Sequence, residues 1–131
     1  MKQEVTKTLP ALKRRTDVQN KRCAVIATLK IFSTKWKPCI ICYLSQGSMR
    51  YNELYRMIPN ISRKMLSGHL RELESDQILV RIQHDAKKQR VEYGLSETGR
   101  SLLGILDRLQ NWGLEHLTGV LSIGEMLALT K

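Results

Sequence analysis

Between Tyr51 and Leu95 the spacing of apolar residues changes period, and this limits the architectures open to the chain. Leu54 and Ile58 stand one helical turn apart, predicting a short helix from Tyr51 to Ile58 with Asn52 as its cap. Pro59-Asn60-Ile61 interrupts it. Ser62 can cap a second helix reaching about Ser75, whose Leu66, Leu70 and Leu73 fall at i, i+4 and i+7 and define a core face. The period then drops to two. Val80 and Ile82 alternate with Arg81 and Gln83, and Val91, Tyr93 and Leu95 alternate with Glu92 and Gly94, predicting two half-buried strands. The polar run from His84 to Gln89 makes the loop between them. Helix, tight turn, helix and hairpin is the layout of a winged helix–turn–helix: a mainly α (α+β) fold with a two-stranded antiparallel wing and flanking helices.

Upstream, Val25, Ile26, Leu29, Ile31 and Phe32 suit a helix from Ala24 to Phe32, which Ser33-Thr34 ends. Thr34 is placed to cap a helix from Lys35 to about Ser45, with Pro38 tolerated in its first turn and Trp36, Ile40 and Leu44 on one stripe. Gly47 is expected to close that helix in the left-handed conformation. Downstream, Ser96 can cap the longest helix, to about Leu117, and Met126 to Leu129 suit one further helical turn or two. The expected organisation is a basic N-terminal arm over 1–22 and one domain over 23–131. The arm reads as a solvated tail or as a segment that touches phosphates or a dimer partner.

Charge separates the functional classes. The chain carries 22 Lys and Arg against 12 Asp and Glu, a net +10, and a small domain with that excess usually meets a polyanion. The longest apolar runs, such as Ile40 to Leu44, fall far short of a membrane span, and the N-terminus has no apolar signal core. Three cysteines is an odd number, which argues against a closed disulfide framework. These features point to a cytoplasmic protein.

A helix that reads the major groove must be held rigidly on one face and be polar on the other. Opposite the leucines of the second turn-linked helix lie Lys64, Ser67, Gly68 and Arg71, with Arg63 at the flank. Its start at Ser62 offers backbone N–H groups suited to a phosphate. Lys87, Lys88 and Arg90 sit at the tip of the wing, and Arg50 can add a phosphate contact at the start of the preceding helix. Double-stranded DNA is the expected partner. A winged helix whose basic face binds an acidic protein is the rival reading, and salt dependence separates the two.

The residues also carry a family likeness. Lys35-Trp36-Lys37, Arg50-Tyr51-Asn52-Glu53-Leu54, Ile58 to Ser67, Leu70-Arg71-Glu72-Leu73-Glu74-Ser75-Asp76, Arg90-Val91-Glu92-Tyr93 and Leu95-Ser96-Glu97-Thr98-Gly99 follow one another in an order that resembles the HxlR-type family of bacterial winged-helix transcription regulators, relatives of the MarR group. The likeness spans about Cys23 to Leu117. It implies a homodimeric, sequence-specific DNA-binding regulator whose flanking helices build the dimer. Family members often have Gly-Gly where this chain has Ser33-Thr34, Gly where it has Asn60, and Pro where it has Lys88-Gln89. Asn tolerates left-handed geometry, so the turn should survive. In several relatives a Cys just before the first helix senses oxidants or electrophiles, and Cys23 occupies the matching position. Lys21 and Arg22 precede it, and nearby cations favour a reactive thiolate. A half-buried structural Cys is the alternative.

Cys39 and Cys42 form C-x-x-C, but on a helix beside a core stripe and without a second ligand pair, so core packing is expected and no metal. His69, His84 and His116 are scattered, no nucleophile has a base at helical spacing, and no phosphate-cradling Gly loop occurs. Neither an enzyme nor a cofactor is expected.

In the longest helix Leu102, Ile105, Leu106, Leu109, Trp112 and Leu117 make one wide stripe, expected to pack on the winged core, while Leu103 and Leu114 lie on the far side. Leu103, Leu106, Leu109, Trp112 and Leu114 are the expected dimer contacts, with help from Ala24 to Phe32. Beyond Val91 only Arg100, Arg108 and Lys131 are basic, against five acids, so this helix is kept clear of the basic face. A two-fold dimer would set two reading helices about one DNA turn apart, roughly 34 Å, and match an imperfect palindrome.

Overall fold

The computed structural model describes residues 22–85 and 90–129, with the side chains of residues 85 and 90 outside the description. The described elements are α1 (Ala24–Ile31), α2 (Lys37–Leu44), β1 (Met49–Arg50), α3 (Tyr51–Met57), α4 (Arg63–Ser75), β2 (Leu79–Asp85), β3 (Arg90–Leu95), α5 (Glu97–His116) and α6 (Ile123–Ala128). Two compact units divide after Ile31. The first contains α1, whose Val25, Ile26 and Leu29 are exposed. Everything from Phe32 onward forms the second.

The second unit is built around the expected stripes. Trp36, Ile40 and Leu44 of the α2 region, Leu54 and Ile58 around α3, and Leu66, Leu70 and Leu73 of α4 are all buried, joined by Leu102 and Leu106 from α5. Leucines and isoleucines of this kind contribute roughly 1.5–3 kcal/mol each when fully buried. Side-chain caps set several boundaries. Ser62 Oγ accepts from Met65 N at 3.1 Å to start α4, and Ser96 Oγ accepts from Gly99 N at 2.9 Å to start α5. Thr34 acts from further upstream than expected: Trp36 holds the cap position of α2, while Thr34 Oγ1 accepts from Lys37 N at 3.1 Å. Asn52 does not cap α3. Arg50 occupies that position, and the Glu53 carboxylate accepts from Arg50 N at 2.8 Å.

Two non-glycine residues take left-handed backbone conformations, and each makes a turn. Asn60, at φ 63°, swings the chain from α3 into α4, as its short amide side chain allows. Gln77, also at φ 63°, ends α4: Ile78 N donates to Leu73 O and Gln77 N to Glu74 O, both at 2.9 Å, a Schellman closure without glycine. Gly47 has φ 149°, an open positive-φ conformation rather than the left-handed helical one expected there.

The sheet has three strands, not two. Met49 and Arg50 pair antiparallel with Tyr93 and Glu92, giving the order β1-β3-β2. Between β2 and β3 the register runs from Leu79↔Leu95 to Gln83↔Val91 and shifts at His84, before Asp85↔Arg90. Burial is concentrated at the base of the hairpin, in Ile78, Leu79 and Leu95, while Val80, expected to be half-buried, is exposed. The Glu92 carboxylate binds the strands together: Ser48 Oγ donates to its Oε1 at 2.8 Å, and His84 Nε2 lies 2.8 Å from the same oxygen.

The α5 stripe does not pack as the helical wheel suggests. Leu102 and Leu106 enter the core, but Ile105, Leu109, Trp112 and Leu117 are exposed, and Leu103 is half-buried. A stripe wider than the available core leaves one flank in water. Among the described residues no helix is long and apolar enough to cross a membrane.

Candidate nucleic-acid interface

Helix α4 presents the basic face expected of it. With Leu66, Leu70 and Leu73 turned inward, Arg63, Lys64 and Arg71 are exposed and Ser67 and Gly68 half-exposed. A Cβ added at Gly68 would meet no heavy atom within 4 Å, so the surface there is open. Ser62 Oγ is committed to Met65 N, which leaves the earliest N–H groups of the helix without intrahelical partners. Arg50 is exposed where β1 meets α3. Arg90 starts β3, while Lys87 and Lys88 lie outside the described residues, as do residues 1–21 of the expected arm.

Two tyrosines that the sequence reading passed over organise the start of α4. The Arg63 guanidinium stacks 4.1 Å from the Tyr55 ring centroid and 5.7 Å from that of Tyr51, and its Nη1 donates to Asn52 Oδ1 at 3.4 Å. Stacking of this kind holds an otherwise flexible cation in place. Tyr51 Oη reaches Arg63 O at 3.1 Å and Ser67 Oγ at 3.0 Å. The spacing shows that Tyr51 and Tyr55, at i and i+4, share one face of the seven-residue α3, but not that Arg63 lies against it.

Lys37 is the second addition. It is 5% exposed, and its ammonium reaches the Glu72 carboxylate at 2.9 Å, tying the first residue of α2 to the last turn of α4. His69 Nδ1 lies 3.7 Å from the same Glu72 oxygen. The hydrogen bond from Lys37 holds the Glu72 carboxyl below the usual carboxylate range, and those from His84 and Ser48 do the same for Glu92. Both folded-state values are depressed, so their contribution to stability is complete above the unfolded value, about 4.3, and is lost as pH falls through the folded ones. Urea midpoints measured from about pH 6 down to pH 3 should therefore fall at the acid end. The fall should be shallower in Glu72→Gln, and equal curves would remove Glu72 from this account.

The cysteines differ in setting. Cys23 is exposed, and its carbonyl accepts from Ala27 N at 2.9 Å at the start of α1. Cys39 is buried, and burial, with Cys42 beside it, pushes its thiol up to about 11. Burial raises Cys42 as well. Both are thiols at neutral pH that pack beside the core. No cluster of three or more metal-ligating side chains occurs among the described residues.

A sequence profile of the HxlR-like helix-turn-helix family matches residues 31–120. The chain belongs to that family. An uncharacterised HTH-type transcriptional regulator of Bacillus subtilis, YtcD, is 50% identical over 97 residues, covering 74% of this chain and 77% of YtcD. The crystal structure of YtcD superposes with a TM-score of 0.67 at 48% identity, over 73% of this chain and 98% of that one. The oxidised redox regulator HypR matches with a TM-score of 0.64 at 37% identity, over 72% and 97% of the two chains. The reduced transcriptional regulator YodB of B. subtilis gives 0.69 at 29%, over 76% and 99%. The HxlR-like match agrees with the winged helix–turn–helix built by α3, α4 and the β-hairpin, and the relatives are transcription regulators.

Proposed function

We propose that this regulator is a homodimer that reads a palindromic operator with α4 in the major groove. The observation that carries the reading is the division of α4 into a buried leucine face and an outer face of Arg63, Lys64, Ser67, Gly68 and Arg71. Ser62 at the helix start and Arg50 contact phosphates, and Lys87, Lys88 and Arg90 of the wing contact the backbone or the minor groove. Lys64→Ala and Arg71→Ala should each weaken binding to DNA selected by the protein while leaving the thermal transition in place. A lost base contact costs roughly 1–3 kcal/mol at one position, whereas a lost phosphate contact weakens all sequences alike and lowers the salt slope by about one. Unchanged affinity in both variants would remove α4 as the reading helix. If the basic face instead binds an acidic protein, no DNA sequence will outcompete bulk DNA.

The dimer is proposed on the exposed flank of α5. Ile105, Leu109 and Trp112 follow one another at i, i+4 and i+7, and Leu114, Leu117, Val120 and Leu121 are exposed as well. Leu109 and Leu114 also line a groove of about 340 Å³ with Val120, Leu121 and Met126. Leu106 packs into the chain's own core and Leu103 is half-buried, so the proposed contact shifts from those two to Ile105, Leu109, Trp112 and Leu114. An apolar surface of this extent on a small domain marks an interaction site, and a second copy makes the protein symmetric in the way a palindrome requires.

A thiol response is the finer part of the proposal. Cys23 is the exposed cysteine, whereas Cys39 and Cys42 are buried and half-buried. HypR is a redox regulator solved in oxidised and reduced forms, and YodB has been solved after diamide treatment. In this reading peroxide transfers one oxygen to the Cys23 thiolate, giving a sulfenic acid and hydroxide, and thiol reductants reverse it. Operator affinity should then change with mild peroxide or diamide in the wild type and stay constant in Cys23→Ser. Equal responses in the two proteins would reject Cys23 as the sensor.

A further inference from the structure

The contacts of Tyr51 Oη determine which way the Ser67 hydroxyl points. Tyr51 begins α3, and its oxygen lies 3.1 Å from Arg63 O and 3.0 Å from Ser67 Oγ. A phenol has one hydrogen, and a carbonyl can only accept. If Tyr51 donated to Ser67, its oxygen would face the Arg63 carbonyl with no hydrogen between them. One assignment makes both contacts hydrogen bonds: Tyr51 donates to Arg63 O, and Ser67 donates to Tyr51. The single hydroxyl hydrogen of Ser67 is then directed inward, toward α3, and its remaining lone pairs are what it can offer outside. Ser67 is half-exposed, and the open surface at Gly68 adjoins it.

We propose that Tyr51 sets base specificity by holding Ser67 as a hydrogen-bond acceptor toward DNA, so that Ser67 selects an exocyclic amino group in the major groove. This rests on α4 being the reading helix. Adenine N6 and cytosine N4 are the major-groove donors, whereas guanine N7 and O6, adenine N7 and thymine O4 accept. A free serine could pair with either kind; a serine whose hydrogen is already committed pairs with donors alone. Tyr51 is a positioning residue here, since it acts through Ser67.

Each base pair shows donors and acceptors together, so the test uses altered bases rather than base swaps. The full chain first selects duplexes from a randomised pool, and Ser67→Ala identifies the base pair at which preference flattens. At that pair, adenine is replaced by purine, or cytosine by 2-pyrimidinone, to delete the amino group. In separate duplexes 7-deazapurines delete the N7 acceptor. Comparing wild type and Ser67→Ala on the same duplexes cancels any loss of pairing strength in the DNA. Deleting the amino group should cost the wild type roughly three- to tenfold in affinity and Ser67→Ala little, while deleting N7 should not distinguish them. In Tyr51→Phe, which keeps the ring under Arg63, the coupling between Ser67 and the amino group should shrink. Coupling to N7 in place of the amino group, no base pair that depends on Ser67, or full coupling in Tyr51→Phe would each overturn the proposal while leaving α4 as the reading helix. Failure of the wild type to select any sequence would overturn the DNA-reading claim and this one with it.

Discussion

Gly99→Ala should destabilise the domain by about 3 kcal/mol or more, at the upper end of what overpacking costs. Gly99 lies in the first turn of α5, where that helix is pressed against the turn leaving α4. A Cβ at this position would sit inside contact distance of the Ile78 carbonyl oxygen and 3.2 Å from the carbonyl carbon and from Ile78 Cγ2. Backbone cannot move aside as the end of a flexible side chain can. The same corner is held by Ser96, whose N donates to Ile78 O at 2.9 Å and whose Oγ reaches Gln77 O at 2.6 Å. Separating the two segments to admit a methyl group would break that set of bonds and shift the buried Ile78 and Leu79. Thermal unfolding followed by circular dichroism should show the transition lowered by roughly 10 °C or more. A transition within a degree or two of the wild type would mean that α5 does not pack this closely on the α4–β2 turn.

The double variant Leu109→Glu/Trp112→Glu should lose the dimer and, with it, about two orders of magnitude or more in operator affinity. Both side chains are about half exposed, at 48% and 58%, so charging them leaves the core of one copy intact and its thermal transition nearly unchanged. Across a two-fold interface each copy would instead bury two unpaired carboxylates, at several kcal/mol per charge. Operator binding then loses the linkage between two half-sites, which is worth roughly 10²–10⁴ in affinity. Sedimentation velocity at micromolar protein, followed by titration of the selected duplex, measures both. A variant that still sediments as a dimer would move the interface off this face of α5.

The parts of the fold read most directly from sequence are those in which one residue type at one spacing has one physical meaning. Leu66, Leu70 and Leu73 turn inward because a 13-residue helix with three leucines on one side has only that side to bury. Ser62 and Ser96 cap because a hydroxyl at a helix start has backbone N–H groups within reach. The misses have equally physical causes. Strand β1 is two residues long and exists through pairing with β3, a long-range contact that carries no local period. On α5 the helical wheel identifies which residues share a face but not how much of that face meets the core, so it does not separate the buried Leu102 and Leu106 from the exposed Ile105, Leu109 and Trp112. Lys37 reads as a solvated charge until Glu72, 35 positions later, is seen beside it. The basic face of α4 was legible. The Tyr51, Tyr55 and Asn52 contacts that shape its first turn depend on the crossing of α3 over α4, which no spacing within either helix reveals.

In the proposed complex two copies of α4, related by two-fold symmetry, read DNA. Sequencing the duplexes that the full chain enriches from a randomised pool tests it most directly. One enriched pattern is expected, of two inverted half-sites with centres about one helical turn apart, roughly 34 Å. In Arg71→Ala that pattern should weaken in both halves together. A single unrepeated site, direct repeats, or no enrichment over the starting pool would contradict it.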